Sequence, residues 1–347
     1  MKVFYAGLRY NYYDSKRGVS FEHENFYESL HAFPGAEVRY FPFERILEVG
    51  KTRFNEEILE AAKKERPDIL FVFTYSDEFD FTILDEIRKY TISVAWFADD
   101  SWRFHNYSKF LAPHFSWAVT TYSWMPELYR RAGQKNVVRS QWAASTNIYK
   151  RDEKDGGEEV LFIGGWTKGR EKIVEKLKAS NISVAVYGQG WSTRRVSREE
   201  MIRLFSTSNI NLGLNPPPGY WAINSLGRLF SRASIDRIVP DFHIVRNIQS
   251  WLSRGIPQIK ARHFEIPACG GFLMTEMADD LDSFYVPGKE IVIYKGMDDM
   301  IKKIRYYLTH DAERSEIAER GYKRTLRDHT YEKRFREIFR TVGVLRE

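Results

Sequence analysis

Short apolar runs alternate with longer amphipathic segments through the first 150 residues. The short runs fit buried strands, and the longer segments, whose apolar residues recur every three or four positions, fit helices. Regular alternation of this kind is typical of βα units and predicts a parallel sheet covered by helices. We expect strands at residues 3–6, 37–41, 69–74, 92–97, 118–122 and 137–140, and helices at 55–65, 79–90 and 125–132.

A polar stretch, RDEKDGGEE at residues 151–159, interrupts this pattern. It contains no apolar residue and carries a glycine pair, which indicates a hinge or linker. The pattern then restarts and predicts further strands and helices, with strands at residues 160–163, 183–187 and 210–214 and helices at 170–179 and 198–206. The fold class is therefore α/β with two Rossmann-like domains, the first over residues 1–150 and the second over 151–329.

The end of the chain has the clearest helical periodicity. Tyr331, Phe335, Ile338, Phe339 and Val342 follow one another at intervals of one, three or four residues. This spacing puts them on one face of a helix. A terminal helix with one buried face is therefore expected over residues 330–347.

Composition narrows the class of protein only a little. The 347 residues are enough for two domains, and the net charge of +6 permits an acidic partner such as a nucleotide diphosphate, an anionic lipid or a nucleic acid without requiring one. No run of about 18 apolar residues occurs, so no transmembrane segment is expected. The one cysteine, Cys269, excludes an internal disulfide and fits a reducing cytoplasm. We interpret it as part of a core, and the protein as cytoplasmic, with peripheral membrane association left open.

The segment KARHFEIPACGGFLMTE, residues 260–276, carries the most concentrated chemistry. Glu265 lies on a short helical turn before Gly270 and Gly271, where glycines allow a ligand to approach the backbone. Lys260 and Arg262 add positive charge that suits a phosphate. The alternative is an ordinary connection from helix to strand with charged residues on its surface.

A second candidate anion site follows the first strand of the second domain. Gly164 and Gly165 form a turn that leads to Lys168 and Arg170 at the start of a helix, where backbone N–H groups favour an anion. The glycine spacing matches neither the dinucleotide pattern nor a P-loop. Gly188 ends the next strand and lies either beside a nucleotide base or in a plain turn.

In the first domain, Asp99 and Asp100 end a buried strand, the edge at which open α/β sheets bind ligands. Either carboxylate is a candidate base or a hydrogen-bond partner for a sugar hydroxyl, and the alternative is a helix N-cap. The polar loop after the first strand contributes Gly7, Arg17 and Gly18 to the same edge.

The irregular stretch 215–239 mixes arginines with aromatic residues such as Tyr220 and Trp221. We expect either a segment that contacts an acceptor or a membrane surface, or a variable loop packed on the second domain. The motifs of zinc and serine hydrolases are absent, and no residues are clustered at metal-ligand spacing, so no metal site is expected. His329 is interpreted as structural.

The order of motifs resembles the CgeB-like glycosyltransferases, a spore-maturation type within the two-domain GT-B group. The similar segments are WFADDSW, FIGGWTKGREKIVEKL, VYGQGW, STSNINLGLN, KARHFEIPACGGFLMTE, PGKEIVIY and HTYEKR. The resemblance implies two domains facing a cleft, a sugar donor on the second, an acceptor on the first, and a terminal helix that crosses back to the first.

The resemblance also implies site roles. Glu265 matches a glutamate that binds the donor ribose in related retaining enzymes, and Lys168, Arg170, Lys260 and Arg262 would neutralise the diphosphate without a metal. The expected activity is hexosyl transfer from a UDP- or GDP-sugar, with no further cofactor, to a glycan, lipid, protein or modified-DNA acceptor. Pro257 stands where many retaining relatives carry another glutamate, which leaves the stereochemistry open. Two alternatives are a non-catalytic nucleotide- or nucleic-acid-binding module and a sugar-nucleotide epimerase.

Overall fold

The computed structural model describes residues 1–152, 156–216 and 226–345. In chain order its strands are β1 Lys2–Gly7, β2 Glu37–Pro42, β3 Ile69–Phe73, β4 Ile92–Phe97, β5 Trp117–Thr120, β6 Val137–Arg139, β7 Val160–Ile163, β8 Ala185–Tyr187, β9 Ile210–Gly213, β10 Ser231–Ser234, β11 Arg237–Pro240, β12 Leu273–Glu276 and β13 Val292–Tyr294.

Its α-helices are α1 Glu28–His31, α2 Arg45–Val49, α3 Lys51–Glu65, α4 Phe81–Ile87, α5 Asp100–Arg103, α6 Lys109–Leu111, α7 Met125–Arg131, α8 Lys168–Ala179, α9 Arg198–Thr207, α10 Ile244–Ser253, α11 Arg262–Ala268, α12 Gly296–Thr309, α13 Asp311–Asp328 and α14 Tyr331–Thr341. Short 3₁₀ turns and two π-helical segments, His23–Tyr27 and Phe104–Ser108, connect some of them.

The chain folds into two units. The first comprises residues 1–141, 226–256 and 332–345, and the second comprises residues 142–152, 156–216 and 257–331. Each unit has its own parallel sheet, so the predicted pair of α/β domains is confirmed.

The sheet of the first unit has six parallel strands in the order β2-β1-β3-β4-β5-β6. Strand β1 pairs on one side with β2, Val3 opposite Val38, and on the other with β3, Val3 opposite Ile69. Strand β3 is buried along its whole length. Its uninterrupted apolar sequence, ILFVF, is what a central strand covered on both faces requires.

The terminal helix α14 belongs to the first unit from residue 332 onward. The ring of Phe335 lies 5.8 Å from that of Phe26 and 5.6 Å from that of Phe71, and Phe339 packs edge-on against Phe33 at 5.4 Å. The apolar face predicted from the spacing of these residues is therefore the face that packs on the first sheet.

Residues 226–256 also lie in the first unit, whereas the sequence placed them in the domain 151–329. Strands β10 and β11 form an antiparallel hairpin. Arg232 forms an ion pair of 3.0 Å with Asp77, Ser234 Oγ donates to Asp77 over 2.9 Å, and the Ile235 N–H donates to Ser76 Oγ over 2.9 Å. These polar contacts attach the hairpin to the end of β3. Because they involve polar side chains, the apolar periodicity of the sequence does not predict them.

The sheet of the second unit has five parallel strands in the order β13-β12-β9-β7-β8. Leu161 of β7 lies opposite Asn211 of β9 and opposite Ala185 of β8. Helices α8 and α12 cover one face, with Leu177 and Ile304 fully buried in its core. None of the helices in the described ranges combines the length and apolarity needed to cross a bilayer.

Candidate functional site

The turn from β7 to α8 forms a helix start with anion-binding geometry. Thr167 caps the helix, because its Oγ1 accepts a 3.2 Å hydrogen bond from the N–H of Arg170. The exposed Lys168 is the first residue of this twelve-residue helix. The helix begins at the carboxyl edge of the sheet, where its dipole and its first N–H groups favour negative charge.

Arg170 is engaged by the protein itself. Its Nη1 donates to the Gly165 carbonyl over 2.7 Å and its Nε donates to the Leu214 carbonyl over 3.0 Å. Burial lowers the pKa of Arg170, and the nearby Glu276 carboxylate acts in the opposite direction. The side chain therefore ties the β7 turn to the end of β9, which is a use that the sequence did not suggest.

Gly188 is required by a close backbone contact. Its φ is +136°, and a Cβ at this position would lie 2.3 Å from the Gly164 carbonyl oxygen. The same oxygen accepts a 2.9 Å hydrogen bond from Trp191 Nε1. A Cβ on Gly165, by contrast, would have the Gln189 carbonyl oxygen as its nearest neighbour, at 3.9 Å. Gly165 is thus the glycine of this turn with open space beside it.

Glu265 lies on α11 and is almost completely buried, with 1% of its surface exposed. Its Oε1 accepts a 2.6 Å hydrogen bond from Tyr149, and its Oε2 forms an ion pair with Arg262. Burial acts to lower the pKa of Arg262, but the Glu265 carboxylate and Tyr149 raise it above its ordinary value. The structure therefore brings together Glu265 and Arg262, which were both predicted, and adds Tyr149, which the sequence did not indicate.

Lys260 lies before the start of α11 and contacts side chains close to it in the sequence. Its Nζ hydrogen-bonds to the Gln258 side chain, and its N–H donates to His263 Nδ1 over 2.9 Å. Burial lowers the pKa of His263 to about 4, so the ring is neutral near pH 7. Its Nε2 lies 3.0 Å from Thr275 Oγ1. His263 thereby holds the turn before α11 against β12.

Gly270 and Gly271 follow α11 and cap its C-terminus, an explanation that differs from the ligand approach suggested by the sequence. The Gly270 N–H donates to the Pro267 carbonyl and the Gly271 N–H donates to the Ile266 carbonyl, over 2.9 and 3.0 Å, the two bonds of a Schellman motif. A Cβ on Gly270, whose φ is +77°, would lie 2.4 Å from Arg151 Nε. Protein atoms therefore occupy the space that these glycines leave.

Glu276, at the carboxyl end of β12, is a further charged group at this sheet edge. It accepts hydrogen bonds from Tyr294 Oη over 2.8 Å and from the Asn215 N–H over 3.1 Å. Its position at the end of a buried strand is the same signal in the sequence that indicated Asp99 in the first domain, and it could have indicated Glu276 as well.

In the first unit, the two adjacent aspartates have different environments. Asp100 is fully buried and accepts a 3.0 Å hydrogen bond from Tyr129, and burial raises its pKa to about 7. Such a side chain faces the core, so its predicted role as a catalytic group is not supported. Asp99 is half-buried, has a φ of 57°, and does not cap α5 with its side chain.

Asp99 lines a cavity of about 930 Å³ inside the first unit. The cavity lies between the end of the first sheet and residues 228–254, and its lining contains Trp102 together with Arg228 and Arg254. These guanidinium groups lie 5.7 and 6.0 Å from the Trp102 ring centroid. The pocket therefore offers an aromatic surface, positive charge and the carboxylates of Asp77, Asp80 and Asp99.

The other residues predicted for this sheet edge, Gly7, Arg17 and Gly18, do not line the cavity themselves. Gly7 ends β1, where its carbonyl accepts from the Phe43 N–H over 3.0 Å. Arg17 lies over the ring of Tyr12, which lines the cavity, at 5.0 Å from the ring centroid, and Gly18 is in the same loop. Tyr220 and Trp221 lie outside the described residues.

Three expectations concern groups outside these sites. Cys269 is fully buried, and burial raises the pKa of its thiol. His329 is buried, and its Nε2 lies 2.8 Å from the Phe284 carbonyl oxygen, which fits a structural role. In the part of the chain that the structure describes, no group of three or more His, Cys, Asp or Glu residues could hold a metal ion.

Two parallel-sheet Rossmann-like units, with a last helix that returns to the first, define the GT-B class of fold. A protein-family model described as Glycosyl transferase-like matches residues 170–340. This region is a glycosyl transferase-like domain, and the fold of the chain is the one found in glycosyltransferases.

Solved structures support the same fold over the whole chain. Sucrose-phosphate synthase from Thermosynechococcus elongatus has a TM-score of 0.58 at 11% identity, covering 99% of each chain. Anabaena HepE, solved in complex with UDP and glucose, has a TM-score of 0.59 at 10% identity, covering 99% of this chain and 100% of HepE. The lipopolysaccharide outer core galactosyltransferase WaaB has a TM-score of 0.57 at 11% identity, covering 99% of each chain. No curated protein matches the chain. Identities this low show the fold, and the CgeB-like subtype stays a prediction.

Proposed function

We propose that the protein transfers a sugar from a nucleotide-diphosphate sugar, UDP- or GDP-linked, to an acceptor hydroxyl. The observation that carries this proposal is that the glycosyl transferase-like region includes most of the second unit, at whose sheet edge α8 begins with the exposed Lys168. HepE, which has the same fold, is described in complexes with UDP and with UDP-glucose. The acceptor, whether glycan, lipid, protein or modified DNA, would bind to the first unit.

The donor diphosphate would lie at the start of α8. When the bond between the anomeric carbon and the diphosphate oxygen breaks, its electron pair stays on the diphosphate, so negative charge grows there. The first N–H groups of α8 and the exposed Lys168 would stabilise that charge. Arg262, whose side chain is 34% exposed, is a further candidate. With cations supplied by the protein, the reaction would need no metal ion.

Glu265 would serve the donor in two ways. Its buried carboxylate holds the guanidinium of Arg262 in one orientation. Because Arg262 is a candidate contact of the diphosphate, Glu265 would be a positioning residue for that group. The ribose contact implied by the resemblance remains compatible, because a carboxylate has about four acceptor sites and Tyr149 and Arg262 occupy two. Ribose binding then requires movement of a side chain near Glu265, since only 1% of its surface is exposed.

On the acceptor side, the attacking hydroxyl must lose its proton as the new glycosidic bond forms. Asp99 is the better candidate for accepting it, because it lines the cavity of the first unit whereas Asp100 faces the core. Retention of the anomeric configuration is our working proposal, although Pro257 replaces one of the glutamates common in retaining relatives.

The direct test is donor binding and hydrolysis with a matched pair of lysine variants. UDP, GDP and their glucose, galactose and mannose derivatives are added in turn, and thermal stabilisation and nucleotide release are measured. Lys168→Ala should weaken binding about tenfold, as expected for loss of one charge-assisted contact of about 1.5 kcal/mol. Lys172→Ala, also exposed on α8, is the control and should bind as wild type does.

The outcomes separate the candidate functions. Stabilisation with slow donor hydrolysis supports a transferase. Stabilisation without hydrolysis, and without transfer to any glycan, lipid or peptide acceptor offered, supports a non-catalytic nucleotide-binding module. No stabilisation by any of these nucleotides, or an equal loss in both lysine variants, contradicts the proposed donor site.

A further inference from the structure

Helix α10 in the first unit has its apolar side turned outward. Val245, Ile248 and Leu252 recur at the three- and four-residue spacing of one helix face, and they are 71%, 41% and 60% exposed. The buried residues of the same helix are polar: Asn247 and Ser250 are 2% and 4% exposed. An ordinary surface helix has the opposite arrangement.

Hydrogen bonds hold α10 in this orientation. Asn247 Nδ2 donates to the Leu229 carbonyl over 3.1 Å, and Asn106 Nδ2 donates to Asn247 Oδ1 over 3.3 Å. Ser250 and Asn247 also line the 930 Å³ cavity. The polar face of α10 therefore has partners inside the unit, and the outward apolar face is the consequence.

The exposed apolar surface continues into the neighbouring hairpin. Phe242, directly before α10, is 79% exposed, and Ile238 and Phe230 are 78% and 57% exposed. The Asp241 N–H donates to the Phe230 carbonyl over 2.8 Å, which brings the two ends of the hairpin together at the start of the helix. We call the side chains of Phe230, Ile238, Phe242, Val245, Ile248 and Leu252 the apolar face.

Positive charge accompanies the apolar face. Residues 226–256 contain five arginines and two aspartates. Arg228, Arg232 and Arg237 are exposed; of these, Arg228 also lines the cavity and Arg232 is paired with Asp77. The carboxylate of Asp241 is buried and lies 2.7 Å from His243 Nδ1. Exposed aromatic and aliphatic side chains interspersed with arginines are typical of surfaces that lie in the interface of an anionic bilayer.

We propose that the apolar face docks the first unit on the surface of an anionic membrane. Apolar side chains would enter the headgroup region while Arg237 contacts lipid phosphates. A second copy of the chain fits less well, because a two-fold interface would bring two copies of the same arginine-bearing patch together. The opposite face of α10 lines the cavity, so an acceptor in the bilayer would lie beside it. The docking itself is independent of the donor chemistry.

The test is sedimentation of the full chain with lipid vesicles. Vesicles of phosphatidylcholine alone are compared with vesicles that also contain phosphatidylglycerol, at low salt and at about 0.5 M NaCl, where surface charges are largely screened. We expect binding to the anionic vesicles, weaker binding in high salt, and much weaker binding to phosphatidylcholine alone.

Three variants locate the binding surface. The double variant Val245→Gln, Ile248→Gln should lower the partition coefficient about tenfold or more, because two apolar side chains no longer enter the lipid. Arg237→Gln should lower it about fivefold at low salt and little in high salt. Leu47→Gln is the control: Leu47 is 48% exposed on α2, outside residues 226–256, and its replacement should leave binding unchanged.

Several results would overturn the proposal. One is failure of the wild-type chain to bind anionic vesicles, and another is equal binding by the double variant and the wild type. A third is a light-scattering result in which the double variant converts a dimer to a monomer while vesicle binding persists. Thermal melts confirm that the variants fold, since all three substituted side chains of the docking variants are exposed.

Discussion

Tyr149 donates a 2.6 Å hydrogen bond to Glu265 in the interior of the second unit, a contact between residues 116 positions apart in the sequence. Burial and the adjacent carboxylate raise the pKa of Tyr149 well above its ordinary value, so the phenol remains a donor. The second oxygen of Glu265 is paired with Arg262. The glutamate thus joins a segment after the first sheet to the guanidinium that we propose for donor binding.

The first prediction separates charge from shape at this site. Glu265→Gln removes the charge that orients Arg262, and we expect UDP affinity to fall about tenfold or more. Tyr149→Phe leaves the charge in place and should mainly lower stability, by about 1.5–3 kcal/mol for a hydrogen bond to a charged group. Calorimetric titration and denaturant unfolding measure the two effects. Unchanged UDP affinity in a folded Glu265→Gln variant would remove Glu265 from the donor site.

Arg170 should behave as a structural arginine. Arg170→Met leaves the Gly165 and Leu214 carbonyls without their donor, so we expect the free energy of unfolding to fall by about 1–3 kcal/mol. Lys168→Ala, at an exposed position, should leave stability within about 0.5 kcal/mol of wild type. Urea unfolding of both variants checks this contrast, and equal stability of the two would show that the carbonyl contacts contribute nothing measurable.

The two glycines beside this turn give a second contrast. Gly188→Ala places a methyl group 2.3 Å from the Gly164 carbonyl oxygen, at a φ that alanine disfavours, and should destabilise the second unit by about 2–4 kcal/mol. Gly165→Ala meets its nearest protein atom at 3.9 Å and should remain stable. If the diphosphate approaches this turn, Gly165→Ala should weaken UDP binding. A stable Gly188→Ala variant would contradict the packing explanation.

Much of the architecture could be predicted because its apolar residues face inward. The uninterrupted apolar sequence of β3 fits a central strand buried on both faces, and the spacing of Phe335 and Phe339 in α14 fits a helix packed on the first sheet. Both parallel sheets and the terminal helix followed from such patterns.

Residues 226–256 escaped the same reasoning, because the apolar side of α10 faces outward and its polar side is buried. Asp99 and Asp100 also look alike in the sequence, although only Asp99 reaches the cavity. In the sequence, Gly270 and Gly271 suggested a place where a ligand approaches the backbone. In the structure, the two glycines cap the end of α11, and Arg151 fills the space beside Gly270. In each case the deciding contact joins distant parts of the chain or depends on which way one side chain turns.

Metal independence is a prediction that needs its own measurement. If Lys168, Arg262 and the start of α8 neutralise the diphosphate, donor hydrolysis should continue at an unchanged rate in excess EDTA. Magnesium or manganese added afterwards should have no effect on the rate. Activity that disappears in EDTA and returns with either ion would contradict this prediction.

The last prediction concerns pH and Asp100. Burial raises the pKa of Asp100 from 3.8 to about 7, so the unfolded chain releases this proton at a lower pH than the folded chain does. The contribution of Asp100 to the free energy of unfolding therefore falls as pH rises from about 4 to about 7, and it is constant at higher pH. At about 1.4 kcal/mol per pH unit, the total loss is on the order of 4 kcal/mol. Asp100→Asn keeps an acceptor for Tyr129 but cannot ionise, so its stability should decline less over this range than that of wild type. Urea midpoints measured from pH 4.5 to 8.5 make the comparison, and parallel curves for Asp100→Asn and wild type would show that Asp100 is ionised in the folded protein throughout.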